Sequence, residues 1–386
     1  MSTAFEQGRP TWADIDTDAF ARNVEAIASR LPEGSRLITV LKADAYGHGA
    51  VELAKSLSAD RVAMIATSLL EEALELRDAG IDLPLLVLGG LTPAQVRLGI
   101  ERGVTIGVIG PEELASVCDV ARERDVTIHL KLDSGMGRMG LIESELQQAA
   151  ELIRATPRLR IDAMYTHFAN AGDVDDPFTD QQLASFRNEL ATLRELGVDA
   201  LFHHTSNSAG TVRGIVEPGD FVRAGIVLYG GEPLDDGGAK LDPVMRWRTE
   251  IVRLKTLPIG HAVGYGMTFW TPRETRLATL PCGYADGYDR LLSNNAEVLV
   301  RGQRAPVVGR VSMDMITVDV TDVAGAAIGD EVVLLGAQGG ERITAEELAA
   351  KIGTISYEVF CNVSARVPRV YRSANRPERI RSRFDR

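Results

Sequence analysis

Eight short runs rich in β-branched residues recur between residues 36 and 230, and most are followed by a longer amphipathic stretch. This alternation is the pattern of repeated βα units on a parallel sheet. The runs are RLITVLKA (36–43), RVAMIA (61–66), LPLLVLG (83–89), VTIGVI (104–109), VTIHLKLD (126–133), IDAMYTHF (161–168), ALFHHTS (200–206) and FVRAGIVLYG (221–230). Stretches such as SLLEEALELRDAG, PEELASVCDVARER and TDQQLASFRNELATLRELG fill the gaps, with Gly or Pro where helices stop or start. Eight such units predict a (β/α)8 barrel of the TIM type. The competing arrangement, an open doubly wound sheet, usually needs fewer strands and carries a Gly-rich dinucleotide loop after its first; no G-x-G-x-x-G stands there.

After about residue 240 the texture changes. MRWRTEIVRLKTLPIG, ETRLATLPCGYADGYDR, NNAEVLVRGQRAPVVGR and MITVDVTD read as strand following strand, with one helix near TAEELAAKIG (344–353). The expected organisation is therefore a barrel domain over residues 1–240 and a mainly β domain over 241–386, ending in a basic, solvated tail. A chain of 386 residues suits two domains.

The formal net charge of −12 argues against nucleic acid or an anionic membrane as a partner, so an anionic substrate must be captured locally. Three scattered cysteines, Cys118, Cys282 and Cys361, form neither a disulfide framework nor a zinc motif, and no metal site is expected. No basic region followed by an apolar stretch opens the sequence and no long apolar run follows, which leads to the expectation of a cytoplasmic protein.

Parallel barrels gather their chemistry at the C-terminal ends of the strands. Lys42, in VLKADAYGHGA, stands near the end of the first run, where apolar residues give way to Gly47, His48 and Gly49. A lysine there is a candidate for Schiff-base or proton-transfer chemistry; elsewhere it would be a solvated charge. His167, closing the sixth run in YTHF, is either a site group or a satisfied barrel histidine. The loops after the seventh and eighth runs, where barrels often bind phosphate, carry Asn207, Ser208, Gly225 and Ile226. Ordinary Gly and Ser loop chemistry is the alternative there. Tyr265, between Gly264 and Gly266, reads by itself as a turn aromatic.

Read together, a series of motifs is more specific: VLKADAYGHGA, KLDSGMGRMG, YTHFANAG, SNSAG, VRAGIVLYG, VGYGMTF, GYADGYDR, VGRVSMD and GTISYEVFCNVSARVPR, in this order across residues 40–369. In content and order they resemble the alanine racemase family over nearly the whole chain. The resemblance implies that Lys42 holds pyridoxal phosphate covalently and then serves as one acid/base, the cofactor acting as electron sink. Inverting a stereocentre through a planar carbanion requires proton delivery to both faces, and Tyr265 matches the family's second base. That tyrosine would come from the partner chain, making the homodimer obligatory.

Further roles follow from the same resemblance. His167 and Arg223 match a hydrogen-bonded chain linking the tyrosine to the cofactor ring. A tyrosine titrates near about 10 in isolation, so action near pH 8 asks for neighbouring positive charge. Arg223, facing the ring nitrogen, would keep it unprotonated and weaken the sink, since arginine holds its proton. By itself Arg223 could instead cap a strand end.

Tyr46 and Tyr357 match hydroxyl donors to the phosphate, beside Asn207, Ser208 and the backbone of Gly225 and Ile226. Arg138, in SGMGRMG, matches the residue contacting the cofactor's phenolic oxygen and the substrate carboxylate, a task that suits its fork. Lys131 occupies a position that some members carry as a carbamate. Met313, in VSMDM, would offer its backbone amide to the carboxylate, though methionine more often serves packing. Asp314 lines the site, and Tyr284 and Arg310 narrow the entrance. The activity implied is interconversion of L- and D-alanine, the product supplying peptidoglycan precursors. Alternatives are a racemase of different substrate preference, a decarboxylase on the same barrel, which would need a carboxylate where Arg223 stands, and a catalytically silent cofactor-binding protein.

Overall fold

The computed structural model describes residues 8–234, 238, 240–374 and 376–382. Among them the chain divides into two units, one within residues 21–45 and 50–241 and the other within 1–20, 46–49 and 242–386.

In the first unit eight strands make one sheet: β1 (Arg36–Val40), β2 (Val62–Thr67), β3 (Leu85–Val87), β4 (Val104–Val108), β5 (Val126–Lys131), β6 (Leu159–Tyr165), β7 (Phe202–His204) and β8 (Phe221–Ala224). Their order is β7-β6-β5-β4-β3-β2-β1-β8, and each neighbouring pair is parallel, β1 with β8 included. Between β7 and β8 the ladder thins to the Arg223 amide donating to the Ser206 carbonyl at 2.9 Å, beside Asp220 Oδ1 accepting from the His203 amide at 3.0 Å. The result is a nearly closed (β/α)8 barrel. All six residues of β2 are buried, as a parallel strand covered on both faces requires.

Helices Leu70–Asp78, Pro93–Glu101, Pro111–Ala121, Leu146–Arg154 and Phe178–Glu195 follow successive strands. Pro93 and Pro111 sit in first turns, where a missing N–H leaves no bond unmade. Val96, Leu114, Val117, Ile153, Phe186 and Leu193 bring the helices onto Ile106, Ile128 and Leu130 of the barrel in one buried cluster. Each such side chain contributes about 1.5–3 kcal/mol through burial.

Three expected strands end earlier than the apolar runs suggest. β1 stops at Val40, β6 at Tyr165 and β8 at Ala224, so Lys42, His167 and Gly225 stand on the connections just beyond the strands. Ile226–Tyr229 is a wholly buried 3-10 turn rather than strand. A short apolar run has no periodicity that separates the two.

In the second unit a mainly antiparallel sheet runs in the order Gln303–Pro306, Glu297–Val300, Glu331–Gln338, Met245–Glu250, Thr11–Asp16, Arg369–Ser373 and Arg376–Arg381, with Glu341–Ile343 paired to Glu331–Gln338. A three-stranded sheet of Arg253–Leu257, Thr275–Leu280 and Ile316–Asp319 and the ribbon Ala262–Val263 with Phe269–Trp270 complete its β structure. Met245–Glu250 alternates buried and half-buried residues, the period of a sheet packed on one face.

Three features depart from the sequence expectation. Thr11–Asp16, on the barrel side of the 240/241 division, pairs with Met245–Glu250 and Arg369–Ser373. A second helix, Ser356–Asn362, follows Ala345–Ile352. Arg376–Arg381, expected as part of a solvated tail, is an edge strand on Arg369–Ser373, and edge strands tolerate just such charged composition. Among the described residues no helix is long and apolar enough to cross a membrane.

Candidate active site

Lys42 opens a single turn that winds the wrong way for L-residues. Ala43, Asp44 and Ala45 have φ of 53°, 51° and 55° with ψ near 50°, and Tyr46 continues at 53°. Each such residue costs about 1–2 kcal/mol relative to the right-handed form. Side chains hold it in place: Glu72 Oε1 accepts from the Ala43 amide at 2.6 Å, and Asp44 Oδ1 accepts from the Ala50 amide at 2.8 Å. The Ala45 amide donates to the Leu41 carbonyl at 2.9 Å. Strain of this kind, over-determined by its surroundings, clusters at functional sites.

Arg223, from β8, is 3% exposed. Its Nη2 donates to the carbonyls of Thr166 (2.7 Å) and Thr205 (3.0 Å) and lies 3.1 Å from His167 Nδ1. Nη1 lies 2.7 Å from His204 Nδ1. A guanidinium only donates, so both imidazoles accept at Nδ1 and carry their protons on Nε2. Burial lowers Arg223 to about 10. Burial first, then Arg223, Lys131, Arg138 and Lys42, hold His167 well below the ordinary histidine range. It is a neutral ring whose Nε2–H is a donor.

Lys131, the last residue of β5, is 4% exposed. Burial and then the charges of Arg223, Arg138 and Lys42 bring its ammonium down to about 8 against the pull of Asp133. Lys131 Nζ and the Arg223 guanidinium lie 5.9 and 5.5 Å from the Tyr165 ring. Among the described residues neither cation forms an ion pair with a carboxylate. Gly107 leaves room for the Tyr165 hydroxyl, since a Cβ there would lie 2.6 Å from it. Burial of uncompensated cations costs several kcal/mol per ion, roughly, and is sustained where an anion is to be bound.

Asp133 folds the loop bearing Arg138: its carboxylate accepts from the amides of Gly135, Gly137 and Arg138 at 3.2, 3.0 and 3.1 Å. After β7, Asn207 caps the helix Ser208–Val212 by accepting from the Gly210 amide at 3.0 Å. Ser208 Oγ accepts from the Gly225 amide at 2.9 Å, and its own proton remains to donate. Ile226 is fully buried. Lys42, Lys131, Arg138, His167, Asn207, Ser208, Arg223, Gly225 and Ile226 thus lie at or beyond the C-terminal ends of barrel strands.

The remaining candidates lie in the second unit. Tyr46 and Tyr357 have ring centroids 6.0 Å apart. Burial raises both phenols, Tyr357 to about 12, so each keeps its proton. Tyr265 stands on a 3-10 turn between Gly264 and Gly266, whose φ of 74° and 71° suit glycine. It is 73% exposed. Gly264 abuts the backbone of Arg310, where a Cβ would lie 3.2 Å from its amide. The amides of Tyr284 and Ala285 donate to the carbonyls of Ser312 and Met313, each at 3.0 Å. Asp314 accepts from Arg366 at 2.7 Å. Tyr265, Tyr284, Arg310, Met313 and Asp314 are therefore borne on interlocked loops, and Met267, Trp270, Met313 and Met315 beside them are exposed.

Sequence reading missed Glu72, His129, Asp133, Tyr165 and His204. Asp133 lies inside the quoted KLDSGMGRMG and His204 inside a quoted strand; a search for polar residues at inward strand positions would have found three of the five.

Family models for the alanine racemase N-terminal domain and C-terminal domain match residues 15–233 and 244–371. The chain is 41% identical over 370 residues to an alanine racemase of Halothermothrix orenii, covering 95% of this chain and 97% of that one. It is 43% identical over 357 residues to one of Syntrophobacter fumaroxidans, covering 92% and 95%. Its structure is similar to the crystal structure of alanine racemase from Bacillus anthracis with bound L-Ala-P, with a TM-score of 0.90, 36% identity and coverage of 97% and 98%. With the barrel, the mainly β unit and the cationic strand ends, these likenesses show that the chain is an enzyme belonging to the alanine racemase family.

Proposed function

We propose that the protein interconverts L- and D-alanine with pyridoxal phosphate and two bases, Lys42 and Tyr265 of the partner subunit, as a homodimer that shares its active sites. The observation that carries this reading is the set of buried cations, Lys131 and Arg223, without carboxylate partners among the described residues, beside Lys42. The same donor set fits the cofactor: an amine for its aldehyde, and Asn207, the Ser208 hydroxyl and the backbone of Ile226 for its phosphate, the Gly225 amide holding Ser208 Oγ in place beside them. Tyr46 and Tyr357, protonated by burial, are assigned as further hydroxyl donors.

Bound pyridoxal phosphate supplies the electron sink that makes an α-carbon acidic. Arg223 would face the ring with a proton it keeps, where a carboxylate would strengthen the sink. Its reach to three carbonyls and two imidazoles keeps that orientation rigid. Arg138 offers a fork for the substrate carboxylate, joined by the Met313 amide. The α-C–H bond breaks as one base takes the proton, and the other base delivers a proton to the opposite face. Lys42 Nζ serves one face and Tyr265 Oη the other. The Nε2–H of His167 is the donor that would favour the phenolate.

The exposed Tyr265, Met267, Trp270, Met313 and Met315 support the second chain, because large apolar groups gathered on one surface mark an interface. Tyr284 and Arg310 are assigned to the entrance, with Asp314 lining the site. In a bacterial cytoplasm the product would supply peptidoglycan precursors.

Incubating the protein with single L-amino acids in deuterated water, and recording chirality and α-deuterium together, tests this reading. Inversion with deuterium incorporation confined to alanine is expected. Deuterium exchange without inversion, or no preference for alanine, would refute it.

A further inference from the structure

Beneath Arg223, two histidines carry its hydrogen bonding into the barrel core. His204 Nδ1 lies 2.7 Å from Arg223 Nη1, and His204 Nε2 lies 2.9 Å from His129 Nδ1. His204 is fully buried and His129 is 1% exposed. Because the guanidinium can only donate, His204 Nδ1 accepts and its proton sits on Nε2, directed at His129 Nδ1. His129 in turn accepts at Nδ1 and carries its proton on Nε2. Cationic forms do not compete: burial first and Arg223 second bring His129 to about 3 and hold His204 well below the ordinary range.

Packing holds the two rings in line. Tyr165 stacks on His204 with centroids 4.5 Å apart and planes 15° from parallel, and Phe202 meets His129 edge-on at 5.5 Å. Neither histidine belongs to the motifs that carry the family resemblance. Their polarity is explained by the one residue they serve.

Resting on the function proposed above, we infer that His129 and His204 are positioning residues: His129 accepts the Nε2–H of His204 and so holds that ring in place, and His204 pins the Arg223 guanidinium so that Nη2 donates to His167. Without an acceptor at position 129, the buried Nε2–H of His204 has no partner and the ring loses the bond that sets its place. A ring that shifts loosens its Nδ1 from Arg223 Nη1, which then keeps the His204 carbonyl alone and no longer has its orientation fixed by the imidazole.

The test uses the full chain labelled with 15N-histidine, with and without pyridoxal phosphate, its six histidines assigned by single substitutions. Long-range 1H–15N spectra at neutral pH are expected to show His129 and His204 both neutral and protonated on Nε2. His129→Leu removes the acceptor at similar volume, whereas His129→Asn returns an oxygen near the Nδ1 position. Leucine is expected to leave the His204 Nε2–H without an acceptor, moving its proton resonance upfield, and to lower kcat about five- to tenfold with KM within about twofold, the scale of one lost buried hydrogen bond. Asparagine is expected to return the His204 Nε2–H resonance toward its parent position and bring kcat back to within about threefold of the parent.

An Nδ1-protonated His204 in the parent protein would overturn the inference. So would an unchanged kcat in His129→Leu, or equal losses in the two variants, the mark of packing alone. The spectra need no turnover. An Nε2–H pair in a protein that fails to racemise alanine would therefore overturn the proposed reaction and leave the tautomer chain standing.

Discussion

Glu72 Oε1 accepts the Ala43 amide at 2.6 Å, one residue beyond Lys42. The same carboxylate takes the amides of Ser68 and Leu69 on Oε2, at 2.9 and 3.1 Å, so it caps a helix with one oxygen and braces the left-handed turn with the other. Glu72→Gln leaves a single oxygen for these donors and turns an NH2 toward the rest. Stability is expected to fall by about 1–3 kcal/mol, the cost of an unmade bond to a buried or charged group. Borohydride trapping of pyridoxal phosphate on Lys42 is expected to slow in parallel. A loss of stability with an unchanged trapping rate would leave Glu72 as a helix cap only.

Lys131 gives a pH signature whose sign is fixed by its surroundings. Its ammonium falls from 10.5 to about 8 through burial and neighbouring cations, so the unfolded chain binds that proton more tightly than the folded one. The penalty is fully present below about pH 8 and is relieved as pH rises toward 10.5. Lys131→Met is therefore expected to raise stability in the ligand-free protein at pH 7 by up to about 3 kcal/mol. The difference from the parent should shrink between pH 8 and 10.5. Denaturant melts across that range measure it, and a difference independent of pH would contradict the assignment.

Gly107 marks where the barrel makes room beneath the cations. A Cβ there would lie 2.6 Å from the Tyr165 hydroxyl and 2.8 Å from the Val87 carbonyl. Gly107→Ala is expected to cost about 1–3 kcal/mol through overpacking. Adding Tyr165→Phe removes one of the two clashes, so the double variant should recover part of that loss in a mutant cycle. Strict additivity of the two substitutions would show that Tyr165 does not feel the change.

How much of this was legible beforehand differs by scale. The barrel was, because eight β-branched runs impose the alternation directly, and β2 is buried along its whole length. Strand ends were not, since LKA after β1 and GIVLYG after β8 are as apolar as strands while adopting a left-handed turn and a 3-10 turn. The strand Thr11–Asp16 was missed because its partners lie more than 200 residues away, and no local pattern records such a pairing. Within the site, Lys42 and His167 stood out by position at strand ends, and Arg223 only through the family resemblance, since it falls early in the run 221–230. Glu72, on a helix exterior by its sequence, could be recognised only once the turn it braces was in view.

Tyr265, 73% exposed on its own chain, leads to the most direct test of the account: subunit complementation between Lys42→Ala and Tyr265→Phe. Each homodimer should be inactive for racemisation. Mixed, allowed to exchange subunits and resupplied with pyridoxal phosphate, the pair forms heterodimers in which one of two sites has both bases. Random reassortment is expected to restore about a quarter of the parent activity on L-alanine. A mixture as inactive as its components, although exchange is verified by mass, would contradict a site built from the lysine of one chain and the tyrosine of another.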